Sequence, residues 1–308
     1  MKKIIALLII LTLPGVALGA VKEQAPKASL AYHLKPALLE QPSAGSFMGG
    51  LDFGFKASYR LASSPAKTYR RSAFGSFDLQ GLLTTDSNHN PRPITVSLGA
   101  GGAINLSGPK IAERGPRPGT EIIKQKGFYY GRASGSLDVG YETDQAGDNR
   151  NFIVGAKLGY VFTQPTSWYQ DFIPSFVAAY DYVDIDKSQM QEQLGADDGD
   201  YQRGMVAASW KFRIGHYGRL PEYLTGLSLH FDLRFYHDFN RSAAIEDADK
   251  DQAHYFACSL NYTFKKALWG NTLTGIYLQF NDGRIPPATD DDTQVFLGVI
   301  LWQGTIGR

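Results

Sequence analysis

The sequence predicts an all-β fold, namely a transmembrane, antiparallel, up-and-down β-barrel of about 12 strands, within a range of 10–14. Three observations predict it. Apolar and polar side chains alternate in eleven segments, most of these segments are 9–14 residues long, and the chain begins with an export signal. Soluble strands average about 5–6 residues, whereas a tilted strand that crosses a bilayer needs roughly 9–11. Spanning strands must close into a barrel, because hydrocarbon cannot satisfy unpaired backbone groups.

Residues 1–19 have the pattern of a secretory signal peptide. Lys2 and Lys3 give a basic start, an apolar run covers residues 4–13, and residues 17–19 supply the cleavage positions. The run is too short to span a bilayer as a helix, and no later segment reaches roughly 20 apolar residues. The sequence therefore predicts an exported chain without a helical span; the alternative is an N-terminal membrane anchor.

The alternation is clearest in residues 227–236. Large apolar side chains occupy every second position from Leu227 to Phe235, and polar or ionisable side chains such as His230 and Asp232 lie between them. Successive side chains of a strand point to opposite faces, so one face is apolar and the other is ionisable. In a membrane barrel these faces contact lipid and line the lumen, respectively.

Ten further segments share the pattern, although the last is almost wholly apolar: 50–60, 73–83, 94–101, 129–142, 151–162, 172–182, 203–214, 254–265, 272–281 and 294–302. Bacterial single-chain barrels generally have an even strand number, so a twelfth strand is expected in 28–36 or 117–126. Residues 30–39 could instead form a short helix in or below the barrel. The predicted organisation is a signal peptide (1–19), a periplasmic or plug segment or first strand (20–45), and a barrel (46–308).

Composition fits this fold and argues against several other classes. The 17 Tyr, 18 Phe and 33 Gly residues suit strands and tight turns. Loss of residues 1–19 leaves 29 of the 31 basic residues against 30 acidic ones, a balance that gives no support to nucleic-acid binding. The single cysteine, Cys258, excludes an intramolecular disulfide framework and a cysteine-built zinc site.

The connections predict an orientation. With a periplasmic C-terminus, the loops outside the cell are 143–149, 186–199, 239–252 and 283–292, and the shorter turns inside are 164–169, 215–223 and 266–270. Several aromatic residues near predicted strand ends fit belts at the two membrane–water boundaries.

With its signal peptide and long alternating strands, the chain resembles the Gram-negative outer-membrane β-barrel class, which includes porins and small channel proteins. The resemblance covers about residues 46–303 and rests on pattern. It implies a location in the outer membrane, with contacts to outer-membrane lipid, lipopolysaccharide and the barrel-assembly machinery. Many such proteins end on an aromatic residue of the final strand, whereas here residues 303–308 follow Trp302 as a short tail.

The inward face carries the predicted functional residues. Charges at membrane depth are costly unless they face water or partners, so these side chains should line a wet or ion-paired lumen and filter solutes. The predicted filter residues are Asp52, Lys56, Arg60, Asp78, Arg132, Asp138, Lys157, Asp181, Arg203, Lys211, Arg213, His230, Asp232 and Arg234.

Two of these groups are expected to form opposed sides. Lys211, Arg213 and Arg234 would make a basic side, and an acidic side would contain Asp52, Asp78 and Asp138. The transverse field between them would screen solutes by charge. The predicted function is accordingly a channel for passive passage of small polar or charged solutes.

Two alternatives remain open at this level. One is an outer-membrane enzyme acting on lipid or lipopolysaccharide, for which His237-Asp238, near an outer strand end, is the candidate. The other is a closed structural or adhesive barrel whose lumen is plugged by ion pairs and residues 20–45.

No catalytic, metal or cofactor site is predicted. Ser228, His230 and Asp232 lie on one face, but same-face neighbours on a strand are roughly 6.6 Å apart, whereas a nucleophile and its base must approach to about 3.2 Å. Residues 247–258 lack the glycine and the glutamate of a calcium loop, which leaves only a looser cation site as an alternative. The glycines at 99–102 do not match a dinucleotide fingerprint, and they are expected to give room to a neighbour or to a bend in the wall.

Overall fold

The computed structural model is a closed, twelve-stranded antiparallel barrel. The structure describes residues 27–41, 46–63, 71–85, 90, 92–105, 110–114, 121–125, 131–162, 173–196, 199–214, 221, 224–268, 273–288 and 291–307. The predicted signal peptide lies outside the described residues. No helix in these ranges is long and apolar enough to cross a membrane.

The strands follow one another in chain order, with two short helices in the connections. They are β1 (Lys27–Gln41), β2 (Ser46–Ser63), β3 (Arg71–Thr84), β4 (Ile94–Asn105), β5 (Lys110–Arg114), β6 (Glu121–Gln125), β7 (Gly131–Thr143), β8 (Asn149–Phe162), β9 (Ser175–Ser188), α1 (Gln189–Leu194), β10 (Asp200–Phe212), β11 (Leu227–Phe239), α2 (Ala243–Glu246), β12 (Gln252–Leu268), β13 (Leu273–Gly283) and β14 (Asp292–Gly307).

The predicted fold class is confirmed. Each wall strand pairs with its neighbours in the chain, except that β4 pairs with β7 because β5 and β6 form a separate two-stranded sheet. Pairing of β1 with both β2 and β14 closes the barrel. The two termini of the wall lie at one end, here called the turn end. The opposite end, called the loop end, carries the connections β1–β2, β3–β4, β7–β8, β9–β10, β11–β12 and β13–β14.

The twelfth strand is β1, and it contains the first of the two candidate segments. Residues 30–39 lie in this strand rather than in a helix, and the described part of the 20–45 segment belongs to the wall. Pro36 lacks a backbone hydrogen-bond donor, so the sequence around it does not resemble a central strand. The register with β14 shifts between Tyr32 and Leu34, so the proline lies beside an irregular stretch of that ladder.

Two sequence-based expectations about the remaining segments were wrong. Residues 303–307 are not a tail, because they continue β14, where Gly307 pairs with Ser29 of β1. The turn-end connections are not the shorter ones on average either, because the connection between β4 and β7, residues 106–130, carries the β5–β6 hairpin.

The two faces of the wall differ as the alternation predicts. Large apolar side chains cover the outside, for example Leu158 at 68% exposure and Leu297 at 61%. Their neighbours in sequence point inward. Because this outer surface continues around the barrel, it is far larger than the patches of a few hundred Å² that soluble monomers expose. An apolar outside around a polar inside is the architecture of the outer-membrane barrel class.

Part of the inside is apolar as well. One inward cluster is buried on the wall formed by β13, β14, β1, β2 and β3, and it consists of Leu39, Met48, Leu82, Tyr277, Phe296 and Ile300. A barrel of 8 strands is just filled by its side chains, whereas 12 strands enclose a wider interior. This cluster therefore fills one side of the barrel interior.

Candidate functional site: the lumen

The lumen contains a polar cavity of about 370 Å³. The cavity extends from Asp52 on β2 and Tyr255 on β12 towards Lys211, which lies one residue before the turn end of β10. Small polar side chains such as Ser209 and Ser259 also line the cavity, together with the apolar side chains of Trp210, Phe231 and Ala257. A volume of this size falls within the range of small-molecule sites.

One wall of the cavity is organised around Asp52. Its carboxylate accepts a hydrogen bond from His33 Nε2 at 3.2 Å and lies 3.3 Å from Arg92 Nη2. Asp52 is 5% exposed, so its charge depends on these partners. Burial opposes the charge of Arg92, but the Asp52 carboxylate outweighs it, and the pKa of Arg92 lies above its usual value.

Arg92 comes from the β3–β4 loop, which hydrogen bonds hold at the mouth of the barrel. The Gln145 side chain accepts from Thr84 N at 2.7 Å and donates to Thr84 O at 2.6 Å. Gln145 Oε1 also accepts from Asn90 Nδ2 at 3.1 Å, and Asn90 Oδ1 accepts from the backbone of Arg92 at 3.1 Å. This loop clamp fixes the position from which the guanidinium enters the lumen.

The facing wall carries a second ion pair. Arg234 Nη2 lies 2.5 Å from Asp232 Oδ2, and the guanidinium carbon lies 5.7 Å from the centre of the Tyr255 ring. All three residues line the same cavity as Asp52 and Arg92. Two ion pairs, each held by its own wall, therefore face each other across the lumen.

Nearer the turn end, the cavity is lined by His230 and Lys211, which are direct partners in the β10–β11 register. The expectation that Ser228 and His230 stay too far apart to interact was wrong, because the side chains lean together and Ser228 Oγ lies 3.1 Å from His230 Nε2. Asp232, however, binds Arg234. The carboxylate that a catalytic triad needs is thus engaged elsewhere.

Other predicted filter residues pair along the wall. Lys56 lies 3.3 Å from Asp78, its register partner, and Lys157 lies 3.8 Å from Asp138 on the next strand. Asp181 lies opposite Gly155 in the β8–β9 register. Gly99 of the glycine-rich segment lies beneath the Asp138 carboxylate, where a Cβ would collide with it, so this glycine gives room to β7.

Three predicted filter residues lie at the turn end, away from the central cavity. Arg60 is the register partner of Lys27, and Arg132 is an exposed residue that pairs with Asn105. Arg213 follows the last residue of β10. None of the three lines the cavity of about 370 Å³.

The loop end is packed around Arg203. Its guanidinium binds Glu142 on β7 at 2.8 Å and Asp238 on β11 at 3.0 Å, and it also donates to the Tyr201 hydroxyl. The Arg241 guanidinium stacks 4.1 Å above the Tyr201 ring. A small cavity beside this network has a volume of about 30 Å³, and Tyr201, Arg203 and Arg241 are among the residues that line it.

The expected division into an acidic and a basic side is replaced by local ion pairs. Each member of the acidic side has its own cation close by: Arg92 for Asp52, Lys56 for Asp78 and Lys157 for Asp138. Arg92 was not predicted as a lumen residue because it lies in a loop, where no alternation shows which way a side chain points. Lys35 and His33 were not predicted either, because β1 was not assigned; their spacing of two would have placed them on one face.

His237 and Asp238, the candidate residues for an enzyme, lie on opposite faces of the barrel wall in the structure. Asp238 is buried and binds Arg203 inside the barrel, whereas the side chain of His237 is 46% exposed on the outside. His237 Nδ1 lies 3.6 Å from Asp251. Over the described ranges, no three His, Cys, Asp or Glu side chains converge as a metal-binding group. The looser cation site was expected around the acidic residues of 247–251, shared with either Glu246 or residues 290–292, and Asp290 lies outside the described ranges.

The chain matches no protein-family model, and no curated protein matches it. Solved structures similar to it include OpdQ from Pseudomonas aeruginosa, at 12% identity over 92% of this chain and 100% of that one, with a TM-score of 0.33. The NanC porin is 8% identical over 88% of this chain and 99% of its own, with a TM-score of 0.42. The β domain of the Bordetella autotransporter BrkA is 9% identical over 91% of this chain and 99% of its own, with a TM-score of 0.37. Likenesses this remote carry no weight for function.

Proposed function

We propose that this protein is an outer-membrane channel for passive passage of small polar or charged solutes. The observation that carries the proposal is the polar cavity of about 370 Å³ enclosed by a wall whose outside is apolar. A cavity lined by ion pairs, serines and His230 holds water, because isolated charges at membrane depth are too costly without it. A water-filled lumen provides the path that a solute needs.

The Arg203 network sets the width of the loop-end mouth. Because the buried Arg203 network occupies this end of the lumen, solutes pass beside the network or when it moves. The path is accordingly narrow and selective rather than wide. In this proposal the lumen charges predicted from the sequence act as the filter together with Arg92, and the opposed pairs Asp52–Arg92 and Asp232–Arg234 form its centre.

The setting follows from the same proposal. After removal of residues 1–19, the barrel is inserted by the barrel-assembly machinery into the outer membrane of a Gram-negative bacterium. Lipid and lipopolysaccharide cover its apolar outside, and the loop end faces the medium. Apolar side chains as exposed as Leu158 and Leu297 need such a cover.

Liposome swelling tests the proposal. Purified, refolded protein is placed in liposomes loaded with an impermeant polymer, and swelling is followed in isotonic glycine or in a disaccharide. We expect swelling in glycine that Ser209→Trp slows, because Ser209 lines the cavity. Protein-free liposomes are the control. No swelling by folded wild-type protein in either solute would reject the channel and favour the closed barrel.

A further inference from the structure

The central cavity carries more positive than negative charge. Four basic side chains line it, namely Lys35, Arg92, Lys211 and Arg234, whereas its acidic side chains are Asp52 and Asp232. Arg92 is compensated by Asp52 at 3.3 Å, and Arg234 by Asp232 at 2.5 Å. Lys35 lies opposite Asp52 in the β1–β2 register, but the Asp52 carboxylate binds His33 and Arg92, and neither Lys35 nor Lys211 forms an ion pair within the part of the chain that the structure describes. These two ammonium groups set the charge of the cavity.

The two lysines approach the cavity from nearly opposite walls. Lys35 lies on β1 and Lys211 on β10, and four strands (β14, β13, β12 and β11) separate them around the twelve-stranded circle. Lys35 is half-buried, with its Nζ 5.4 Å from the centre of the Tyr277 ring, whereas Lys211 is exposed to the lumen. A solute in the cavity therefore has a cationic group on each side.

Hydrogen-bonding groups lie beside Lys211. His230 is its register partner on β11, and Ser259 is the partner of His230 on β12. Ser209, two residues before Lys211, lines the same cavity. Ammonium, imidazole and hydroxyl groups on one wall can all donate hydrogen bonds to an anionic oxygen.

The low-dielectric wall strengthens the attraction between the lysine ammonium groups and an anion in the cavity. An uncompensated charge in such surroundings attracts a counter-ion much more strongly than it does in bulk water. A cavity lined by an excess of one sign also raises the local concentration of the opposite ion. Two separated cations favour a solute with two negative charges, because it neutralises both at once.

We propose that the cavity is a binding site for small doubly charged anions, held between Lys35 and Lys211, and that the channel prefers anions. The inference rests on the proposed channel function for its transport consequence, but the binding site does not depend on conduction. Solutes of this class carry phosphate or two carboxylate groups. The cavity volume of about 370 Å³ limits them to small molecules.

Inorganic phosphate at about pH 8 is the probe. Titration calorimetry of full-length protein in detergent micelles measures binding, and the reversal potential in a KCl gradient across a planar bilayer measures selectivity. We expect Lys211→Met to weaken phosphate binding at least about tenfold, the size of one lost charge-assisted contact. We expect the double variant Lys35→Met/Lys211→Met to abolish binding and the preference for chloride.

Two variants serve as controls. Lys35→Arg/Lys211→Arg keeps both charges and should bind phosphate nearly as well as the wild type. Lys187→Met removes a lysine that pairs with Asp148 at the loop end, outside the cavity, and should leave binding unchanged. Mobility of the unheated protein on denaturing gels shows whether each variant is folded, and the exposed position of Lys211 makes its single variant the safest.

The outcomes distinguish the anion-binding site from the channel function. Failure of the wild type to bind phosphate, or unchanged binding in folded Lys211→Met, would overturn the anion site. Channel openings with a cation preference would overturn it as well. Absence of any conductance, combined with phosphate binding that needs both lysines, would retain the site and reject the channel.

Discussion

Arg203 on β10 contacts Glu142 on β7 through its Nη1 at 2.8 Å, so one side chain spans the inside of the barrel past β8 and β9. Its Nε also binds Asp238 on the neighbouring β11 at 3.0 Å. Arg203 is 3% exposed, and its two acidic partners are 5% and 8% exposed. The loop end of the barrel is therefore tied together by one guanidinium with two carboxylates.

Removal of this guanidinium should be strongly destabilising. In Arg203→Met, Glu142 and Asp238 keep buried charges without their cation, and the expected loss is about 3–5 kcal/mol. Denaturant unfolding in detergent micelles, followed by tryptophan fluorescence, measures it.

The matched control removes all three charges. In Arg203→Met/Glu142→Gln/Asp238→Asn no charge is left unpaired, so most of the lost stability should return. Equal losses in the single and triple variants would show that shape, and not charge compensation, holds the loop end.

The inward apolar cluster gives a second prediction. Leu39 is 0% exposed inside the barrel, whereas its neighbour Leu38 is 62% exposed on the outside. Leu39→Ala should cost about 2–5 kcal/mol, because it leaves a cavity among packed side chains. Leu38→Ala should cost much less, since lipid fills the space. A larger loss for Leu38→Ala in the same unfolding experiment would reverse the assignment of the two faces.

The loop clamp gives a third prediction. Gln145→Ala removes the hydrogen bonds to Thr84 and Asn90 that hold the loop of Arg92. The guanidinium should then move in the lumen, and the current through a single open channel should become noisier. Gln193→Ala, at an exposed position on α1, is the control and should leave the noise unchanged. Quiet currents from Gln145→Ala would show that Asp52 alone positions Arg92.

Orientation is tested with a single introduced thiol. In a Cys258→Ala background, Gln193→Cys at the loop end should react with a membrane-impermeant maleimide on intact cells. Thr225→Cys, at the turn end, should react only after the outer membrane is permeabilised. The reverse pattern would place the loop end in the periplasm.

The sequence predicts well which face of the wall a side chain lies on, but it predicts poorly which side chains form ion pairs or hydrogen bonds. Period-two alternation places Asp52, Lys56 and His230 on the inward face, because a strand allows only two directions. Pairing depends on register and closure, which bring Arg203 to Glu142 across 61 residues. Side chains can also lean along a strand, as Ser228 and His230 do, so a backbone spacing does not fix the distance between their ends.

The missed residues have physical reasons too. Arg92 stands between two prolines in a loop, where no periodicity shows its direction, and it points inward through contacts far from it in sequence: the Gln145 clamp on its loop and the Asp52 carboxylate. Lys35 precedes Pro36, whose missing donor argues against a central strand. Because the wall is closed and locally irregular there, β1 accommodates the proline.

The most direct test of the channel is a block of single-channel current from within the lumen. Ser209→Cys in the Cys258→Ala background is recorded in a planar bilayer before and after addition of a bulky, charged thiol reagent; Cys258→Ala alone is the control. We predict discrete openings whose conductance drops once the reagent reacts at residue 209, and no drop in the control. Absence of openings, or openings that the reagent leaves unchanged although mass spectrometry shows residue 209 modified, would contradict a solute path through this cavity.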